Sequence, residues 1–159
     1  MKRLLYTALL VAIISATSTT LQAQDRNFGI GGAVGGPDGI SYKTWLNQNS
    51  ALAGVVSFGI SEGNSNFYTS LDYLVHKFYD NLDWEVGRLH YYYGGGAAVQ
   101  WYSSDFIDEQ FMLRLPAGFG FNFTDVPVDL FFELAPQVQV SPDFSFGFNG
   151  NLGFRFYLN

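Results

Sequence analysis

Residues 144–159 alternate between two kinds of side chain. Even positions carry Phe144, Phe146, Phe148, Gly150, Leu152, Phe154, Phe156 and Leu158; odd positions carry Ser145, Gly147, Asn149, Asn151, Gly153, Arg155, Tyr157 and Asn159. A period of two places the sets on opposite faces of a β-strand. Residues 110–123 repeat the pattern, with Phe111, Leu113, Leu115, Phe119, Phe121 and Phe123 opposite Gln110, Met112, Arg114, Gly118, Gly120 and Asn122. So do residues 126–140, with Val128, Leu130, Phe132 and Leu134 opposite Asp129, Glu133, Gln137 and Gln139, and residues 89–101. Four weaker segments precede them, at 27–35, 39–46, 51–60 and 66–78, separated by turn residues such as Gly36-Pro37-Asp38-Gly39. Eight strands joined by short connections predict an all-β fold, an eight-stranded antiparallel up-and-down β-barrel, in which closure removes both sheet edges. Pro116 and Pro136 fall inside predicted strands, so a bulge or a lost ladder bond is expected at each. The Gly94-Gly95-Gly96 run, mid-strand, is expected to relieve crowding beside Tyr92.

The first residues follow a different pattern. Lys2 and Arg3 precede an apolar run over 4–14, then a small, polar stretch ending at Ala23. These are the features of a secretory signal peptide. The run is too short to cross a bilayer as a helix, which takes about 20 apolar residues. The expected organisation is a signal peptide over 1–23 and a barrel over 24–159. Removing residues 1–23 takes away two basic groups and no acid, moving the net charge from −6 to −8.

Composition decides which face of the barrel points outward. The chain is 18% aromatic and only 14% charged, against about 25% charged in a typical soluble domain. Eight strands enclose room for side chains or one small ligand. The rows of Phe and Leu are too bulky to share that space, whereas the Gly, Ala, Ser and Asn of the opposite faces fit it, together with a few large residues such as Trp45, Tyr68, Tyr92 and Phe131. The apolar faces are therefore expected to meet lipid, as in a transmembrane barrel. A soluble lipocalin-like binding barrel, the alternative, would turn them inward. Tyr73, Tyr79, Tyr91, Tyr102, Trp84 and Trp101, near strand ends, are candidates for interfacial girdles.

The same parity places Lys43, Arg114 and Arg155 inside with Asp72, Asp129 and Glu133, three charges of each sign. Buried charges need partners. Arg114, Glu133 and Arg155 lie on consecutive strands, which suggests a cluster centred on Glu133 and a separate Lys43–Asp72 pair. A structural ion-pair network filling the lumen is expected rather than a conduit.

Other chemistry is sparse. No cysteine is present, which excludes thiol chemistry and disulfides, and the negative charge argues against nucleic-acid partners. The only histidines are His76 and His90. His76 shares a face with Asp72 and Ser70, but residues four apart on a strand are about 13 Å apart, too far for a catalytic triad. No phosphate loop or zinc spacing occurs, so no enzyme activity, cofactor or metal is expected.

The C-terminus resembles the assembly signal of bacterial outer-membrane proteins, a pattern of polar-x-Gly-x-x-aromatic-x-apolar filled here by Asn151, Gly153, Phe156 and Leu158; Asn159 is an extra residue where many relatives end on an aromatic. The layout of the chain after residue 23 is similar to the OmpA/OmpX-like small barrels. Residues 36–46 and 132–136 look like those of a subset with no assigned function. The resemblance implies both chain ends in the periplasm, insertion by the barrel assembly machinery, residence in the outer membrane as a monomer among lipids and lipopolysaccharide, and no activity. The outer connections would then carry Asp38, Glu62, Asp105, Asp108, Glu109 and Asp143 without a Lys or Arg. Such a rim suits solubility; binding of divalent cations is the alternative reading. Two roles stand: a structural or surface-interaction barrel, or a narrow transporter for small apolar solutes.

Overall fold

The structure, a computed structural model, describes residues 27–61, 64–79, 85–103 and 109–158. The expected signal peptide lies outside them. Among the described residues nine strands form one antiparallel sheet: β1 (Phe28–Gly35), β2 (Gly39–Trp45), β3 (Ser50–Ser61), β4 (Asn64–Phe78), β5 (Gly87–Tyr102), β6 (Gln110–Arg114), β7 (Ala117–Phe123), β8 (Val128–Ser141) and β9 (Ser145–Leu158). Each strand pairs with the next in the ring, β6 and β7 each pairing with both β5 and β8, and β9 returns to β1 with Leu158 opposite Phe28 and Asn151 opposite Gly35, closing the sheet into a barrel.

Strands β6 and β7 share one position in the ring. Arg114 faces Gln137 and Ala117 faces Leu134, so the register against β8 is unchanged across Leu115 and Pro116. Gly94 N–H donates to the Pro116 carbonyl at 2.8 Å and Leu115 N–H to the Pro136 carbonyl at 2.9 Å. Pro116 has no N–H to give, and the strand is interrupted there alone. The barrel thus has eight strand positions. At Pro136 β8 runs on without a break or bulge, with Pro136 opposite Phe148 in regular register; its carbonyl still accepts, and the loss is the single ladder bond that its missing N–H would have donated. The one register shift in this region lies between Phe111 and Met112 against β8.

Short polar turns set the connections. The Asp38 carboxylate accepts from Gly35 N–H, and Asn47 Oδ1 accepts from Asn49 and Ser50 N–H, both at 2.9 Å. These side chains substitute for backbone partners that a tight turn cannot supply.

Side-chain direction follows the alternation. Phe144, Phe146, Phe148, Leu152, Phe154, Phe156 and Leu158 are exposed on the outer wall, Phe146 at 78%. Asn151, Arg155 and Tyr157 of the same strand are buried. Trp45, Tyr68, Tyr92 and Phe131 occupy the interior, where small residues such as Ala33, Ala53 and Ala98 face them. Apolar outside and charged inside is the reverse of a soluble barrel. Strands of up to 16 residues exceed the 9–11 or so that a tilted strand needs to cross a bilayer.

Candidate functional site: the charged interior

All six predicted interior charges are buried, none above 5% exposure. They form two groups. In the first, Arg114 lies between two acids, its Nε 3.1 Å from Asp72 Oδ1 and its Nη2 2.7 Å from Glu133 Oε1. Arg114 Nη1 also donates to the Tyr68 hydroxyl at 2.7 Å, and the Tyr92 hydroxyl donates to Glu133 Oε2 at 3.2 Å. In the second, Asp129 Oδ2 receives Lys43 Nζ at 3.3 Å and Arg155 Nη1 at 3.4 Å, with the Tyr157 hydroxyl also at 3.4 Å. Arg155 Nε donates to Ser41 Oγ at 2.8 Å, and its guanidinium lies 3.8 Å above the Phe131 ring. Lys43 Nζ stands 4.3 Å from the Trp45 ring centre. One group has two acids around a cation, the other two cations around an acid.

The pairing therefore differs from the sequence expectation. Arg155 meets Asp129, not Glu133, and Lys43 meets Asp129, not Asp72. Register is the reason. On β8 and β9, Asp129 stands directly opposite Arg155, whereas Glu133 stands opposite Asn151. Parity assigns a face but not a height along the barrel.

Glycines govern which side chains can meet, in a way the sequence reading missed. Gly96 lies in register between Asp72 on β4 and Arg114 on β6. Gly118 lies between Tyr92 and Glu133, and Gly31 between Ser41 and Arg155. In each case two strands' side chains join across a third strand that offers none. A Cβ on Gly96 would collide with the Asp72 carboxylate, and one on Gly118 would stand 2.7 Å from the Tyr92 ring and hydroxyl. The glycine that makes room for Tyr92 is thus Gly118; Gly94 and Gly96 lie against Leu74 and Asp72. The available signal was a glycine on the inner face of a strand flanked by strands with long polar residues.

His76 and His90 sit below the second group, fully buried, with ring centres 5.2 Å apart. The His76 ring is 4.4 Å from that of Trp45 and 5.2 Å from that of Tyr92. No ring nitrogen has a hydrogen-bond partner among the described residues. Ser70 Oγ accepts from Val55 N–H at 3.1 Å and Asp72 is engaged with Arg114, so the His–Asp–Ser set is not joined. Among the described residues no group of three or more His, Asp or Glu could hold a metal ion.

Of the four residues that resemble an assembly signal, Asn151 is buried and its Oδ1 accepts from Gly36 N–H at 3.3 Å, while Phe156 and Leu158 point outward. Gly153 lies beneath the Phe131 ring. Of the six acids expected at an outer rim, Asp38, Glu109 and Asp143 are exposed at one end of the barrel; Glu62, Asp105 and Asp108 lie outside the described residues, as does Trp84. Tyr73, Tyr79 and Tyr91 are exposed on the wall.

No family model matches the sequence, and no curated protein matches it. Solved structures do. The N-terminal β-barrel domain of Pseudomonas aeruginosa OprF is similar at 18% identity with a TM-score of 0.57, covering 86% of this chain and all of that one. Neisserial surface protein A (14% identity, TM-score 0.45) and Ail of Yersinia pestis (13%, TM-score 0.35) each cover 83% of this chain and 94% of their own. With the closed ring, the outward apolar wall and the charged interior, the likeness to the OprF barrel shows the fold, an up-and-down antiparallel β-barrel of eight strand positions like that of the OprF N-terminal domain.

Proposed function

We propose that this chain is a small integral outer-membrane barrel, exported by a cleavable signal peptide, inserted as a monomer, and serving a structural or surface-interaction role without catalysis. Both chain ends face the periplasm, and the wall is solvated by outer-membrane lipids and lipopolysaccharide. The observation that carries this reading is the pair of ion-paired groups lying across an interior also occupied by Tyr68, Tyr92 and Phe131. An eight-stranded barrel has little width beyond what its own side chains fill at mid-height, and charges held by several partners at once do not move aside for a solute at little cost. The lumen is thus a plug. Planar-bilayer recording of the purified protein tests this. A silent membrane is expected; reproducible conductance steps would overturn it. Fractionation with outer membranes and heat-modifiable gel mobility test the location.

A further inference from the structure

The two ends of the barrel differ. The end bearing Phe28 and Leu158 opens into a recess of about 630 Å³, within the range of small-molecule sites. Its lining mixes rings and amides: Trp45, Phe78, Phe123 and Tyr157 with Gln48, Asn49 and Asn122. From these features we infer that this recess is a carbohydrate-binding site, taking the ring of an uncharged sugar.

Three observations carry the assignment. A sugar ring has an apolar C–H face and a rim of hydroxyls, and a lining that mixes aromatic carbon with amides offers contacts to both. Amides suit hydroxyls because each offers donors and an acceptor. Next, Asn122 Oδ1 is buried and has no hydrogen-bond donor among the described residues. A buried acceptor without a donor is costly, so the ligand should bring an O–H or N–H, which a hydroxyl does and a carboxylate or phosphate does not. Last, the floor is shut. Trp45 Nε1 donates to the Tyr157 hydroxyl at 3.0 Å, and that hydroxyl reaches Asp129. A ligand entering here stops here, so the recess binds without conducting. Arg88, whose guanidinium lies 4.6 Å from the Phe78 ring centre, forms part of the wall.

The test uses the full chain in phospholipid nanodiscs, since glycoside detergents carry the same ring. Cellobiose and cellohexaose are titrated with saturation-transfer NMR and tryptophan fluorescence. Saturable binding with a Kd of about 1 mM is expected, weakened about tenfold by Asn122→Leu and also reduced by Gln48→Ala in the exposed turn. Gln139→Leu at the opposite mouth should leave it unchanged. Tighter binding of the hexaose would assign the site to an extended strand, and equal binding to a single ring. Absence of saturation at about 10 mM, or equal binding by wild type and Gln48→Ala, would overturn the inference. Heat-modifiable mobility confirms that each variant is folded.

Discussion

Asp129→Asn is the most informative single substitution in the interior. Asparagine keeps the shape of aspartate and removes its charge, leaving Lys43 and Arg155 3.3 and 3.4 Å from a neutral amide. Neither cation can reach water, because both side chains are at most 2% exposed. Breaking a buried pair by removing one partner costs about 3–5 kcal/mol. Lys43→Met should cost much less, about 1–2 kcal/mol: it forfeits the contact with the Trp45 ring, but Asp129 keeps Arg155 and Tyr157. In the double variant only Arg155 is stranded, and it retains Ser41 Oγ and the Phe131 face. The double loss should therefore fall short of the summed single losses by about 1–3 kcal/mol. Urea unfolding from phospholipid vesicles, followed by tryptophan fluorescence and by cold-gel mobility, measures all three. An Asp129→Asn variant within about 0.5 kcal/mol of wild type, or strictly additive losses, would refute the account of a shared acid.

Two further substitutions examine the wall and its spacers. Leu152→Arg places a charge on the lipid face midway along β9 and should cost about 2–4 kcal/mol in the same assay, whereas Gln139→Arg at the barrel mouth should cost little. Gly96→Val fills the gap through which Asp72 and Arg114 meet and should lose about 1–3 kcal/mol from overpacking, plus the cost of separating the pair; a value near zero would show that the gap is dispensable.

Much of the fold was legible from period-two alternation, because in a narrow barrel every strand must put bulky apolar groups on one side and small or polar groups on the other. That is why Arg155 and Tyr157 could be assigned inward and Phe154 and Phe156 outward from sequence alone. Partners were not legible. Strands in a barrel are tilted and staggered, so sharing the inner face does not fix whether two residues are level or many ångströms apart. Asp129 reaches Lys43 across the lumen, with β1 and β9 lying between their strands in the ring, a relation that no local pattern encodes. The spacer glycines were hidden for the same reason, since Gly96 acquires its role only when Asp72 and Arg114 become its lateral neighbours.

The seam between β1 and β9 has a consequence for how such a chain enters a membrane. Interior contacts cross it at several heights: Asn151 to Gly36, Arg155 to Ser41 and Tyr157 to Trp45. All join the last strand to residues near the first, at sequence separations above 110. Until the ends meet, Asp129 and Arg155 lack part of their surroundings and two strand edges lie open, neither of which lipid tolerates. Zipping the seam and neutralising the interior are therefore a single event, which leaves no comfortable half-inserted form and makes the final strand the latch that commits the whole molecule.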